Sequence, residues 1–275
     1  MNPLLASLVI AASVLVMVAL MLVARRFAPP GGRFNDSDRA SGPFGFLGAG
    51  FVILLGFVIF LSFGTYSDAR THSESEATAV LDQFAAAEVM PAAIRARAQS
   101  QLVCYGRSVV HQEWPVMKDG QSSAVTDGWV VSLEQTEKSL PGTNGAQDAA
   151  LTDWYDATHS REMGRRGRLL VAQGDIPTLL WSLLIIGAAL VVGYVLLYAD
   201  PTEEIIGQIA MMAGVTALVV ASLLAVEMLS SPFQNENGSI EPTGMQYSLD
   251  TMRAELAKDG TVLPLLCDAH GIPVS

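Results

Sequence analysis

The sequence predicts an all-α fold: four transmembrane helices with a large helical extramembrane domain inserted between spans 2 and 3. Three observations carry this reading. Of 275 residues, 51% are hydrophobic and only 16% charged, with a mean hydropathy of +0.37, more apolar than a single soluble core requires. Four stretches long enough to cross a bilayer contain no charged side chain. Between the second and third of them, apolar residues recur at three- and four-residue steps among many charged ones.

Residues 1–24 form the first span: at about 1.5 Å per residue a helix of that length reaches roughly 36 Å, past a hydrocarbon core of about 30 Å. A cleaved leader is a poorer reading, because basic residues stand only at its end, as Arg25-Arg26, and no cleavage site follows. The connector Arg25 to Gly42 holds Pro29-Pro30-Gly31-Gly32 and Asn35-Asp36-Ser37-Asp38, which is loop chemistry. The further spans are Ala40 to Ser67, Ile176 to Ala199 and Ile205 to Val226. In lipid each must satisfy its own backbone, so helix is imposed even on runs rich in Val and Ile. Asp200-Pro201-Thr202-Glu203-Glu204 joins the last two into a tight hairpin, with Pro201 stopping one helix and Thr202 capping the next.

The organisation expected is therefore 1–65 for the first two spans, 66–175 for the helical domain, 176–229 for spans three and four, and a tail, 230–275, packing on the domain. Within the domain, Val80, Leu81 and Phe84, then Ile94, Ala98, Leu102 and Val109, place helices at 66–90 and 91–113, with Pro91 opening the second. Trp129 to Leu140 forms an amphipathic run, and a helix over 150–174 leads into span three. If spans two and three continue as an antiparallel helix pair starting at Asp68 and Asp175, Glu74 falls opposite Arg168 and Asp82 opposite Arg161.

Composition also excludes functions. A net charge of −11 argues against nucleic acid, which demands clustered cations. His111-Gln112-Glu113 lacks the P-C-x-x-C segment that a zinc deaminase needs, and there is no HExxH, GxSxG, Walker A or dinucleotide fingerprint. Asp36 and Asp38 begin like a calcium loop, but Ala40 and Ser41 stand where a ligand and a glycine belong. His72, His111, His159 and His270 are scattered. No catalytic, cofactor or metal residues are assigned, and the protein is read as non-enzymatic with no cofactor. Asn237-Gly238-Ser239 is both a glycosylation sequon and a turn signal.

Two features carry information about a site. Arg161, Arg165 and Arg168 share one helical face, which suits an anion-concentrating vestibule if the chain is repeated around an axis, or an internally salt-bridged hairpin. Cys104 and Cys267 form either a disulfide, if domain and tail lie in an oxidising compartment, or two buried free thiols. Basic residues flank the first connector and the domain almost equally, and weighting the short loop places the domain and both termini outside the cytoplasm of a multi-pass cell-membrane protein. Gly45, Gly48 and Gly50, and small pairs such as Ala189/Gly193 and Ala210/Gly214, allow close helix approach within the chain or to a partner. No ionisable group lies inside any span, which disfavours a pump or carrier.

Tyr66-Ser67-Asp68-Ala69-Arg70 with Glu74-Ser75-Glu76-Ala77, the triplet Glu113-Trp114-Pro115, the run Arg161 to Leu170 leading to Ile176-Pro177 and Leu180-Trp181, and Pro232-Phe233 occur in an order that resembles the uncharacterised bestrophin-like membrane-protein family from about Gly45 to Phe233. The resemblance implies an analogy with bestrophins: homopentameric ion channels with four spans per subunit, a large helical extramembrane portion, a proline-containing motif in the pore-lining second span and cytoplasmic termini. Here the only proline of the second span is Pro43, at its start, and no acidic cluster suits bestrophin-type calcium sensing. The expected function is a homo-oligomeric anion or ion channel. The alternative is a non-conducting accessory or assembly subunit of a larger membrane complex. The expected partners are the lipid bilayer and either other copies of the chain or foreign subunits.

Overall fold

In the computed structural model the described residues are 3–31, 37–140, 146–174, 176–234, 238–258, 260 and 262–274, with backbone alone at 37–40 and 146–148. Asn237 of the sequon, Asp36 and Arg33 of the first connector, and Asp175 lie outside them, as do the side chains of Asp38 and Arg39. The helices are α1 (Pro3–Arg26), α2 (Ser37–Ala86), α3 (Ala92–Ser108), α4 (Trp114–Met117), α5 (Ala124–Lys138), α6 (Ala146–Ala172), α7 (Thr178–Leu197), α8 (Ile205–Ser230) and α9 (Thr243–Lys258). Among the described residues there is no strand, only an isolated bridge between Cys267 and Pro273. The fold is all-α, and four of its helices are long and apolar enough to cross a membrane.

The chain divides into two compact units. The first comprises Met1–Thr65, Asp175–Ser230 and Glu236–Gly238, and contains the four apolar segments. Its core gathers Met21, Phe51, Leu55, Val58, Leu184 and Met212. On α2 the inward residues Phe51, Leu55, Val58 and Ser62 recur at three- and four-residue steps, as one buried helical face requires. A Cβ on Gly187 of α7 would sit 2.6 Å from the Phe51 ring, so only glycine admits that ring. Arg25 at the end of α1 donates to Gln208 Oε1 at 2.8 Å and to the Pro201 carbonyl at 3.1 Å, fastening α1 to the start of α8. The hairpin turn differs from the expected cap: Asp200 Oδ1 accepts from the backbone N–H of Thr202 at 2.8 Å and from its hydroxyl at 2.7 Å, and α8 begins three residues later. An aspartate side chain can close its own turn, which leaves Thr202 as a donor within the turn instead of a cap.

Gly45, Gly48, Gly50, Gly193 and Gly214 have no heavy atom within 4 Å of where a Cβ would stand. Among the described residues, therefore, these glycines do not serve close packing.

The second unit holds Tyr66–Gly174, Ser231–Asn235 and Ser239–Ser275. The lower half of α2, α3, α5, α6 and α9 surround a core of Val80, Phe84, Leu102, Trp129, Leu133, Trp154 and Met252. One 3₁₀ turn, Ala87–Val89, ends α2, and α3 starts after Pro91, whose carbonyl accepts from Ile94 and Arg95 at 2.9 Å each. The approach of α6 to α2 depends on glycine: a Cβ on Gly164 would stand 2.7 Å from the Glu76 backbone nitrogen, and one on Gly167 would overlap the His72 ring.

Two expectations change here. The helix over 150–174 does not run into span three, because α6 ends at Ala172, Gly174 takes a left-handed φ of 81°, and Pro177 precedes α7. The register along α2 also moves, by two residues at Arg168 and by one at Arg161. Arg168 meets Glu76 instead of Glu74, and Arg161 meets Gln83 instead of Asp82.

Candidate functional site

The sequence puts an acid, Glu76, on the inward face of α2 in step with Ala69, Val80 and Phe84. A buried carboxylate must find a cation or several donors. From α6, Arg168 supplies both: Nε donates to Glu76 Oε2 at 2.6 Å and Nη2 to Oε1 at 2.9 Å, a two-pronged geometry that a guanidinium plane favours. Tyr105 of α3 donates its hydroxyl to Glu76 Oε1 at 2.6 Å. Burial raises the Tyr105 phenol well above its usual range, and the neighbouring Glu76 charge adds to this.

A second acid arrives through a local irregularity. Pro115 has no N–H and cannot continue the α-helical ladder of α3. The chain responds with a π-helical turn over Val109–Glu113, which leads into α4. Glu113 on that turn accepts from Arg168 Nη2 at 2.6 Å and from Arg165, while Arg165 also reaches Asp127 of α5 at 2.6 Å. Burial pushes the Glu113 carboxyl upward, but Arg168 and Arg165 outweigh it and hold it below its ordinary value of 4.5. The Arg168 guanidinium also lies over the Trp114 ring at 5.1 Å, and Trp114 packs edge-on against Phe233 while its indole N–H donates to the Ile240 carbonyl at 3.1 Å.

Arg161 is held differently. Its Nε donates to Gln83 Oε1 at 2.9 Å, its guanidinium lies 5.1 Å over the Tyr105 ring, and the nearest carboxylate oxygen, of Glu162, is 3.8 Å away. The structure thus brings Arg161, Arg165 and Arg168 onto one face, but that face is turned inward. Arg161 and Arg168 are 1% and 0% exposed, and the Arg165 side chain only 12%. Glu76, Glu113 and Asp127 pair with Arg165 and Arg168.

Sequence reasoning missed Glu76, Glu113 and Tyr105 as partners of these arginines. The signal for Glu76 was present, an acid on an otherwise apolar helical face; nothing local announced Glu113, whose placement depends on the π turn.

The second constellation is the C-terminal clasp. Cys104 of α3 and Cys267 are bonded, with S–S 2.09 Å and Cα atoms 5.7 Å apart. Around this bond Trp129 donates its indole N–H to the Gly271 carbonyl at 2.7 Å, and Arg107 donates to the Asp268 carbonyl at 2.9 Å. Asp268 Oδ1 accepts from the backbone of His270 at 2.8 Å and of Ile272 at 2.9 Å. Gly271, with φ 79°, lies so close to the Ser108 backbone that a Cβ would overlap it. Among the described residues, no group of three or more His, Cys, Asp or Glu side chains is placed to hold a metal ion.

The family described as Bestrophin-like domain matches residues 10–244, most of the chain. The protein belongs to the Bestrophin-like family. The residues that carry the sequence resemblance meet around one buried cluster: Glu76 of α2, the Glu113-Trp114 step, Arg165 and Arg168 of α6, and Phe233. No curated protein matches the sequence. Among solved structures, a mutant form of a bacterial bestrophin homologue from Klebsiella pneumoniae is 15% identical with a TM-score of 0.70, covering 92% of this chain and 99% of its own. Another mutant of that homologue gives 15% and 0.66, covering 90% and 99%. A structure described as a membrane protein is 17% identical with a TM-score of 0.69 over 92% and 99%. At such identities the likeness speaks for the fold, and this Bestrophin-like chain is a membrane protein of the bestrophin type.

Proposed function

We propose that this Bestrophin-like protein is a homo-oligomeric channel that passes anions, with α2 lining the pore. The observation supporting this is the outward face of α2. Phe46, Ile53, Phe57 and Phe60 are exposed along one side, opposite the buried Phe51, Leu55 and Val58, and Gly50 and Gly64 leave open space. No charged side chain interrupts residues 41–67. A ring of such faces forms an apolar constriction that gates by wetting and dewetting. Arg161, Arg165 and Arg168, expected to concentrate anions, face inward, and Arg165 pairs with both Glu113 and Asp127, so in this reading selectivity does not rest on them.

The disulfide supports placing the helical domain and both termini on the oxidising side of the cell membrane, because a bond between Cys104 and Cys267 persists only there. With four crossings, the N-terminus, domain and tail share one side.

Reconstitution into chloride-loaded liposomes tests the channel reading. The expected result is chloride efflux that rises when Phe57→Ala and Phe60→Ala are combined. Folded, oligomeric protein that passes no ion would refute it. An impermeant maleimide applied to intact cells tests the side: Cys104 should label only after a reductant.

The second reading, a non-conducting accessory subunit of a larger complex, is favoured by the open space at Gly193, Gly207 and Gly214 on α7 and α8. Purification in mild detergent separates the two: a ring of identical chains supports the channel, and reproducible foreign subunits the accessory role.

A further inference from the structure

α3 and α9 cross closely at Gly106, where a Cβ would stand 3.0 Å from Leu249. Beyond this crossing, a groove of about 330 Å³ opens between α3, α9 and the C-terminal segment. Its apolar walls come from Val103 of α3, Leu249 and Leu256 of α9, and Val262, Leu263 and Leu265 of the tail. Val262 is 93% exposed, an apolar side chain with nothing covering it. On α9, Leu249, Arg253 and Leu256 follow at four- and three-residue steps, so they share the face turned to the groove.

The groove also holds two cations. Arg107 comes from α3, one turn beyond Val103, and Arg253 from α9. Neither resembles the arginines of the buried cluster. Arg107 donates to a backbone carbonyl, that of Asp268, and Arg253 pairs with Asp250 at 2.9 Å where both side chains are about 70% exposed. Such an exposed pair adds little stability and exchanges readily with solvent. Burial, and then the proximity of Arg253, lower the proton affinity of Arg107, with Asp268 opposing. Two guanidiniums thus face one groove, Arg253 with Asp250 beside it at the exposed rim and Arg107 near Asp268. An oxyanion between them would accept from both.

We propose that this groove binds a single-chain fatty carboxylate, its headgroup held by Arg107 and Arg253 and its alkyl chain laid along Leu249, Leu256, Val262 and Leu265. The α9 face that carries Leu249, Arg253, Leu256 and Ala257 rises roughly 12 Å along the helix, comparable to a medium-length alkyl chain. The site is independent of conduction and rests only on the geometry of the helical domain.

The test is displacement of a dansyl-labelled fatty acid by decanoate from full-length protein in phosphatidylcholine nanodiscs, with empty nanodiscs subtracted. Decanoate should compete saturably, decanol about tenfold or more weakly, and Arg107→Gln and Arg253→Gln should each weaken decanoate by about tenfold. Arg253 is exposed, so its substitution leaves folding intact and keeps the test interpretable. Equal competition by decanol, unchanged affinity in both arginine variants, or no saturable binding would overturn the proposal. So would loss of oligomerisation in Val262→Asp, because the groove would then be an interface between copies of the chain.

Discussion

Arg168 and Glu76 face each other with both side chains withdrawn from solvent, joined by two hydrogen bonds of 2.6 and 2.9 Å. Their partners stand 92 residues apart in sequence, on α6 and α2. A buried ion pair contributes less net stability than its short distances suggest, because both ions lose hydration, but removing one partner strands the other. The pair therefore acts chiefly on register, since a one-residue slip of α6 along α2 would bury two unpaired charges.

Replacing Arg168 with Met should lower the stability of the folded chain by about 3–5 kcal/mol, since Glu76 and Glu113 would remain buried without it. Adding Glu76→Leu to the same chain should recover part of that loss. Thermal unfolding of the purified protein measures both, and an Arg168→Met variant as stable as the parent would show that the pair is not buried in the assembled protein.

Acid should loosen the same cluster through Glu113. Its carboxyl is held below the ordinary 4.5, so the folded state binds its proton less readily than the unfolded chain does. The stabilisation this gives is complete above that ordinary value and is lost as pH falls through the lower folded value. Unfolding temperature should therefore drop in acid below about pH 4.5, and Glu113→Gln, though less stable at neutral pH, should show a shallower drop. Parallel slopes in the two proteins would assign the acid sensitivity to other groups.

The C-terminal clasp predicts a different response. Cys104→Ser or Cys267→Ser should cost about 2–4 kcal/mol and expose the last residues to protease. Gly271→Ala should release the same segment with the disulfide intact, because its left-handed φ and its approach to Ser108 both exclude a side chain. Limited proteolysis followed by mass measurement reads both; a tail equally protected in all three variants would mean that Trp129 and Arg107 hold it unaided.

Much of the site was visible along the chain without being assembled. Arg161, Arg165 and Arg168 fall on one face by helical spacing alone, but spacing does not say whether a face points at solvent or at protein. Here Gly164 and Gly167 let α6 approach α2 closely enough to bury it. Glu74 was the acid expected opposite Arg168, and instead it pairs with Arg70 on the exposed side of α2 at 2.7 Å. Arg168 meets Glu76, two residues further along α2, and on a helix two residues are about 200° of rotation, enough to turn an acid from core to surface.

The sequence by itself determined the four membrane-crossing helices and the all-α class. Uninterrupted apolar runs in lipid have to satisfy their own backbones, and that demand is local. Tertiary structure decided which acids meet the arginines, the inward turn of the arginine face and the seat of the tail against α3. Those depend on a helix break at Gly174, a π turn before Pro115 and contacts between residues tens of positions apart, whose energies exist only once the helices are packed.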